Sequence, residues 1–322
     1  MAAAPALVEV VRNGFIESTH RGNVVALDAD GSIAFVVGDP DVGILPRSAV
    51  KPAQAAAMVG LGLGLTDQLL ALAAASHSGE PMHLDGVRSI LSRVGLDEGS
   101  LQCPAAWPFD ESALRAYVGA GAQPAPVVHN CSGKHAAMLA TCVARGWSTH
   151  DYLDPDHPLQ VAIRVEIGER AGASSRTSRA AADFVGTDGC GAPLVALSLR
   201  SLALVVRSLA LGQVDSPGRR VCDAIQTCPE WTSGSARDEA RLMRAIPGLT
   251  VKMGAEAVFV AAFDDGRAVA LTIEDGGDRA RPVVMAAALA RLGVTHPLLD
   301  ELVHPPVLGG GVRVGELRAT GW

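Results

Sequence analysis

Lysine is almost absent from this chain. Of the 27 basic residues among 322, only Lys51, Lys134 and Lys252 are lysine, and the remaining 24 are arginine. Where the chain needs only positive charge it uses a guanidinium, which stays protonated in proteins. A lysine amine gives up its proton when desolvated or set beside another cation, and can then act as base, nucleophile or ligand. Compositional drift toward Arg, Ala and Gly accounts for the scarcity but not for the placement. Each lysine lies in a short polar motif: Arg47-Ser48-Ala49-Val50-Lys51, Cys131-Ser132-Gly133-Lys134 and Lys252-Met253-Gly254.

Other absences narrow the class. There is no clustered basic stretch, and the net charge is −7 with a pI near 5.7. Both argue against nucleic acid or an anionic membrane surface as the main partner, and for a small molecule. Residues 1–11 lack a basic segment followed by a long apolar run, so a cytoplasmic location is expected. The most apolar stretch, 194–211, is interrupted by Arg200 and Arg207 on one helical face and reads as a buried amphipathic helix rather than a membrane span. Aromatics make up only 4% of a chain that is 48% hydrophobic, which implies a core of Ala, Val and Leu with closely approaching helices. The six cysteines, Cys103, Cys131, Cys142, Cys190, Cys222 and Cys228, read as free thiols or a metal site, since a chain this long in a reducing compartment has little need of disulfides. No internal repeat or low-complexity linker divides the sequence, so residues 1–322 are expected to form a single catalytic domain.

The first 38 residues alternate as strands do: Leu7, Glu9 and Val11 interleave with Val8 and Val10, and Asp30-Gly31 before 33–37 signals a hairpin. Two or three antiparallel strands are predicted there. From about Ser48 to Ala245 the period becomes helical, with helices near 49–60, 67–75, 83–94, 112–119, 133–145, 157–171, 194–211 and 216–226. Strands return over 250–253, 257–263 and 268–273, the last two flanking Asp264-Asp265-Gly266, and a helix over 282–292 follows. The predicted fold class is α/β of the α+β kind. One antiparallel sheet is assembled from strands of both termini and covered by helices, residues of about 49–245 form a mainly helical lobe, and the cleft between lobes holds the site.

Pro52 sets the start of the helix after Ser48, because proline lacks an N–H and is tolerated only in the first turn. Lys51 lies three residues beyond Ser48 on the same face, so its amine is expected to reach the Ser48 hydroxyl. A serine hydroxyl is a poor nucleophile until a base takes its proton, which a neutral lysine amine can do. S-x-x-K alone is a weak pattern, and by itself it favours a capping serine and a solvated lysine. Ser76-His77-Ser78-Gly79-Glu80 adds a second serine able to pass a proton to a leaving group. Lys252-Met253-Gly254 adds a second cation, which would lower the proton affinity of a nearby Lys51, and a glycine that permits close backbone approach. This order of motifs is that of serine beta-lactamases and penicillin-binding proteins.

Two further motifs do not fit a plain beta-lactamase. Cys131-Ser132-Gly133-Lys134-His135 opens a helix, and Gly186-Thr187-Asp188-Gly189-Cys190-Gly191 is a glycine-dense loop. Cys131 and Cys190, with Lys134, Asp188 and His135, could hold zinc, which thiolates favour, or could be buried free cysteines. Arg47 could bind a substrate carboxylate or pack beside the helix start. His77, His129 and His135 read as supporting rather than catalytic.

Together these motifs resemble the L-asparaginase II family of rhizobial type, serine-dependent amidohydrolases distinct from the threonine-dependent bacterial asparaginases. The resemblance spans essentially the whole chain. It rests on Arg12-Asn13-Gly14, Glu17-Ser18, His20-Arg21-Gly22, Pro46-Arg47-Ser48-Ala49-Val50-Lys51-Pro52, Ala75-Ser76-His77-Ser78-Gly79-Glu80, His129-Asn130-Cys131-Ser132-Gly133-Lys134-His135, Thr187-Asp188-Gly189-Cys190-Gly191 and Lys252-Met253-Gly254-Ala255-Glu256. It implies a fold similar to serine beta-lactamases and glutaminases, and hydrolysis of L-asparagine to L-aspartate and ammonia without an organic cofactor. It also implies a homodimer. Ser48 and Lys51 would form one serine-lysine pair, and Ser76 with Lys252 a second. A Zn2+ ion at Cys131, Lys134 and Cys190, with Asp188 beside it, would assist substrate binding without being essential to the chemistry. Lysine binds zinc only when neutral, which gives a reason why Lys134 is not arginine. Candidate substrate-binding residues are Arg47, His77, Glu80 and Asp188. The alternatives on this scaffold are a glutaminase, a beta-lactam-acylated hydrolase, or a non-catalytic amino-acid or metal-binding protein.

Overall fold

Alternating apolar residues at both ends of the chain become strands of one sheet. The computed structural model describes residues 3–172 and 184–321. Chain order begins with β1 (Ala6–Arg12), β2 (Phe15–Leu27), β3 (Ile33–Val37) and the short β4 (Gly43–Ile44). Helices α1 (Lys51–Gly60), α2 (Asp67–Ala73), α3 (Pro81–Ser92), α4 (Glu111–Gly119), α5 (Ser132–Arg145) and α6 (Pro158–Arg170) follow. Then come β5 (Val185–Thr187), β6 (Pro193–Val195), β7 (Leu197–Ser198), α7 (Leu199–Ala210), α8 (Pro217–Thr227), α9 (Pro229–Thr232) and α10 (Asp238–Ala245). The chain closes with β8 (Leu249–Met253), β9 (Phe259–Phe263), β10 (Ala268–Ile273), α11 (Arg281–Arg291), α12 (Pro297–Val303), β11 (Pro306–Gly309) and β12 (Val312–Ala319).

Eight strands form an antiparallel sheet in the order β11-β12-β1-β2-β10-β9-β8, with β3 also on β2. The long β2 joins its two halves: Thr19 and His20 pair with β1, whereas Val24 lies between Leu271 of β10 and Val37 of β3. All five positions of β8 and of β9 are buried, so this half of the sheet is covered on both faces. Helix α7 packs on β2, β9 and β10, and α11 packs on β1, β10 and β12. The helical lobe is a cluster in which α1 packs on α5, α6 and α8, and α2 packs on α5 and α8. Its interior is rich in alanine and leucine, as the composition implies.

Several segments differ from the expected elements, among them α9, α10, β4 and β5, which the pattern did not single out. The helix expected over 194–211 begins only at Leu199, because the Ser198 hydroxyl accepts the Ser201 N–H as an N-cap, while Leu197 and Ser198 pair with Ile44 and Gly43. The strand expected from 257 begins at Phe259, since Glu256 and Ala257 adopt φ of 56° and 51°. Finally, α12 and the β11–β12 hairpin, which add an edge to the sheet, were not anticipated. The apolar stretch itself is amphipathic: Arg207 leaves the α7 face and donates to the carbonyls of Ala29 (2.6 Å) and Gly266 (2.8 Å), tying together the two hairpin turns read from Asp-Gly pairs. Among the described residues no helix is long and apolar enough to cross a membrane.

Candidate active site

Ser48 sits in a tight 3-10 turn, Arg47–Val50, that leads directly into α1, with Pro52 in the first helical turn. Arg47 holds a left-handed backbone conformation, φ 52°, which a side chain other than glycine adopts only under constraint. The constraint is visible. Its guanidinium Nε donates to Asp188 Oδ1 at 2.6 Å, and Asp188 is itself held by the Gly189 N–H at 2.8 Å. The glycine loop is thereby clamped to the serine turn. On the other side the end of β8 passes so close that a Cβ on Gly254 would collide with the Pro46 carbonyl oxygen and stand 3.3 Å from the Ala49 nitrogen. Only glycine lets the strand carrying Lys252 reach the serine turn.

All three lysines are buried to within 1% exposure. A charge is almost never buried so completely without partners, and each lysine has them. Lys51 Nζ donates to the Ala75 carbonyl (2.5 Å), Ser76 Oγ (3.1 Å) and Cys131 Sγ (3.1 Å). Its backbone N–H donates to the Ser48 carbonyl, but among the described residues no hydrogen bond joins its amine to the Ser48 hydroxyl. The structure therefore brings Lys51 to Ser76, where the motifs had suggested Ser48. Lys252 donates instead to Glu239 Oε1 (3.4 Å) and the Met253 carbonyl (3.0 Å). Burial lowers the Lys252 pKa to about 8; Glu239 opposes this, while Lys51 and Arg237 add to it.

Lys134 Nζ donates to Cys190 Sγ at 3.3 Å. Burial disfavours its charge, yet Cys190, Cys131 and Asp188 outweigh burial and push its pKa up. The two thiols shift each other's proton affinity in opposite directions. The hydrogen bond between them pulls the Cys190 pKa down, helped by Lys134 and His135 against burial, and pushes the Cys131 pKa up, in concert with burial. All six cysteines are free.

The histidines form a supporting layer. The Gly79 N–H donates to His77 Nδ1 at 3.2 Å, so the proton of a neutral His77 lies on Nε2 and is given to Ser132 Oγ at 2.8 Å. Ser132 in turn donates to the Val127 carbonyl at 2.7 Å. Burial pushes the His77 pKa well down, and lowers those of His83, His129 (to about 4) and His135. Glu80 caps α3 reciprocally with His83 and accepts from Ser235 N (2.8 Å) and Oγ (2.6 Å). It is thus engaged with the 232–237 segment.

As to a metal, among the described residues no three His, Cys, Asp or Glu side chains gather into a ligand cluster. The donors that do converge are two thiols and an amine, Cys131, Cys190 and Lys134, next to a buried His135 Nε2 that has no hydrogen-bond partner. A soft, sulfur-rich set with one unsatisfied nitrogen fits a zinc ion, provided Cys131 and Lys134 both surrender their protons.

The sequence reading missed Glu239, Arg237 and Arg281 around Lys252, and Ser132 beneath His77. Glu239 did carry a signal: it shares one helical face with the apolar Leu242 and Met243, where an acid is out of place.

Compared with known proteins, residues 8–319 match the family described as L-asparaginase II. No match was found among curated proteins. A beta-lactamase from Mycobacterium bovis is 13% identical, with 85% of this chain and 95% of that chain covered and a TM-score of 0.41. A Bacillus glutaminase is 12% identical, with 84% and 91% covered and a TM-score of 0.40. Neither likeness bears on what this chain acts upon. With nearly its whole length inside the family match, the chain belongs to the L-asparaginase II family of amidohydrolases.

Proposed function

We propose that this protein hydrolyses the side-chain amide of L-asparagine to L-aspartate and ammonia through an acyl-serine. The observation that supports it most directly is the placement of a Lys51–Ser76 hydrogen bond one turn from Ser48. Ser48 lies on a constrained turn, Lys51 is buried one turn away, and Ser76 accepts a hydrogen bond from Lys51. In this reading Ser48 Oγ attacks the amide carbon and its proton passes to the Lys51 amine. Ser76, bonded to that amine, relays a proton to the departing nitrogen, and ammonia leaves. Water then adds to the ester, its proton returning by the same route, to release aspartate and free Ser48. The Ser48 N–H at the start of the turn is a candidate oxyanion donor. Lys252 lends positive potential to the site from the end of β8. Arg47 and Asp188, paired with each other, shape the wall where the charged ends of an amino-acid substrate would lie.

Cys131, Lys134 and Cys190 would hold a zinc ion, which when bound would supply a Lewis-acidic contact for the substrate. Elemental analysis of protein purified without a histidine tag tests this, and absence of zinc from that protein would remove the ion from the proposal.

The decisive experiment is ammonia release from asparagine by the wild type and Ser48→Ala. Loss of a nucleophile is expected to cost at least about 10⁴-fold in kcat, and near-wild-type release would sink the assignment. Parallel assays with glutamine and a chromogenic beta-lactam separate asparaginase from glutaminase and from a beta-lactam-acylated hydrolase. Stoichiometric asparagine binding without turnover would instead mark a binding protein.

A further inference from the structure

The hydrolytic scheme leaves one fully buried acid unused. Glu239, on α10, has no exposure to solvent. Its Oε1 accepts two hydrogen bonds from the end of the same strand, from Lys252 Nζ at 3.4 Å and from the Met253 N–H at 3.1 Å. Oε2 makes no hydrogen bond and lies 3.5 Å from Arg237 Nη2. One carboxylate oxygen therefore holds both a lysine amine and the backbone of the next residue. Gly254, one residue further, is the point where this strand abuts the Ser48 turn.

The surroundings are unusually charged for an interior. Arg281 of α11 lies over the Phe259 ring at 4.8 Å and pairs with Asp238 at 3.1 Å, and Arg237 lies over Phe109 at 4.7 Å. Burial alone would raise the Glu239 pKa, but Lys252, Arg237 and Arg281 outweigh it and hold the group ionised. The charged groups acting on Lys252 are Glu239 and Arg237 from α10 and its cap, and Lys51 from α1. Of these only Glu239 favours the ammonium. The neighbouring acid on the same helix, Asp238, is paired with Arg281 instead.

A purely structural ion pair could be exchanged for apolar side chains without loss. Here the acid is aimed at the lysine that approaches the serine turn, and it fixes that lysine's backbone as well. We propose that Glu239 is a positioning residue, whose carboxylate fixes the Lys252 amine at the end of β8 and keeps it protonated at neutral pH. This rests on the role given to Lys252 above.

The scarcity of lysine makes the test direct. Lysine labelled with 13C at Cε gives three signals from three residues, assigned by Lys→Arg variants, and the Lys252 midpoint is followed in wild type and in Glu239→Gln. The expected result is a wild-type midpoint near 8. In Glu239→Gln it falls by about one unit or more, and the alkaline limb of kcat/KM for asparagine moves down by the same amount. An unchanged Lys252 midpoint overturns the proposal, whatever the activity. A midpoint that moves while the alkaline limb stays fixed supports Glu239 as the counter-charge but removes Lys252 from the hydrolytic scheme, so the two readings fail separately. If Glu239→Gln does not fold, Glu239→Asp carries the test. It keeps the charge but shortens the reach, so the midpoint is held and kcat falls about tenfold or more at nearly constant KM. Wild-type kcat in Glu239→Asp overturns positioning.

Discussion

Adding one methyl group at Gly254 should cost more activity than stability. The added Cβ would collide with the Pro46 carbonyl oxygen, with Val258 Cβ at 3.2 Å and the Ala49 nitrogen at 3.3 Å leaving no sideways escape. The neighbour in the way is backbone, so no side chain can rotate aside. The strand end and the serine turn must separate by roughly 1 Å to regain van der Waals contact. Gly254 has no positive φ, so the substitution adds no conformational strain beyond this clash. Overpacking of this kind costs about 1–3 kcal/mol, which for a domain of this size lowers Tm by only a few degrees. The same displacement moves Lys252 relative to Ser48, and an error of about 1 Å in a catalytic constellation can cost on the order of 100-fold. Gly254→Ala should therefore fold cooperatively, melt a few degrees below wild type, and release ammonia from asparagine about 100-fold more slowly, chiefly through kcat. A folded Gly254→Ala protein with wild-type kcat would refute the claim that close approach of β8 to the serine turn assembles the site.

Three further outcomes follow from the geometry. His77, His83, His129 and His135 are held below their ordinary pKa of 6.5 by burial, so the unfolded chain takes up protons that the native chain refuses. Their contribution to stability is complete above pH 6.5 and is lost as pH falls through the folded values, that of His129 being about 4; urea unfolding from pH 7 to 4.5 should show this decline, with a shallower slope in His77→Gln. Asp188→Asn removes the partner of Arg47 across a 2.6 Å contact and should raise KM for asparagine about tenfold or more with a smaller change in kcat; unchanged KM would free the pair from any role at the substrate wall. Cys190→Ala should abolish zinc retention, measured by elemental analysis, and raise KM while leaving kcat within about tenfold; retained zinc would place the ion elsewhere.

Much of the fold could be read from local pattern. The β9–β10 hairpin follows from Asp264-Asp265-Gly266 between apolar runs, and α1, α2, α5, α6 and α8 begin or end within a few residues of their expected bounds. Where local pattern failed, a tertiary contact had won. The 194–198 segment is apolar enough for helix, yet pairing of Leu194 and Val195 with β5, pairing of Leu197 with Ile44 and the Ser198 cap make it strand and then a helix start. The C-terminal hairpin escaped notice because Gly309-Gly310-Gly311 breaks up an alternation in which Leu308 and Val312 stay exposed, leaving little apolar contrast between faces.

The candidate site divides along the same line. Composition alone singled out Lys51, Lys134 and Lys252 as the exceptions in a chain that otherwise uses arginine, and all three prove to be buried. The partners of each lysine lie outside the reach of sequence. Ser76 comes to Lys51 from 25 residues away, Cys190 to Lys134 from 56, and Glu239 to Lys252 from a neighbouring helix. Hydrogen-bond partners are set by packing across the sheet and lobe, to which spacing along the chain is blind. Sequence determined which side chains are the candidates for chemistry, and only the tertiary structure decided which of them touch.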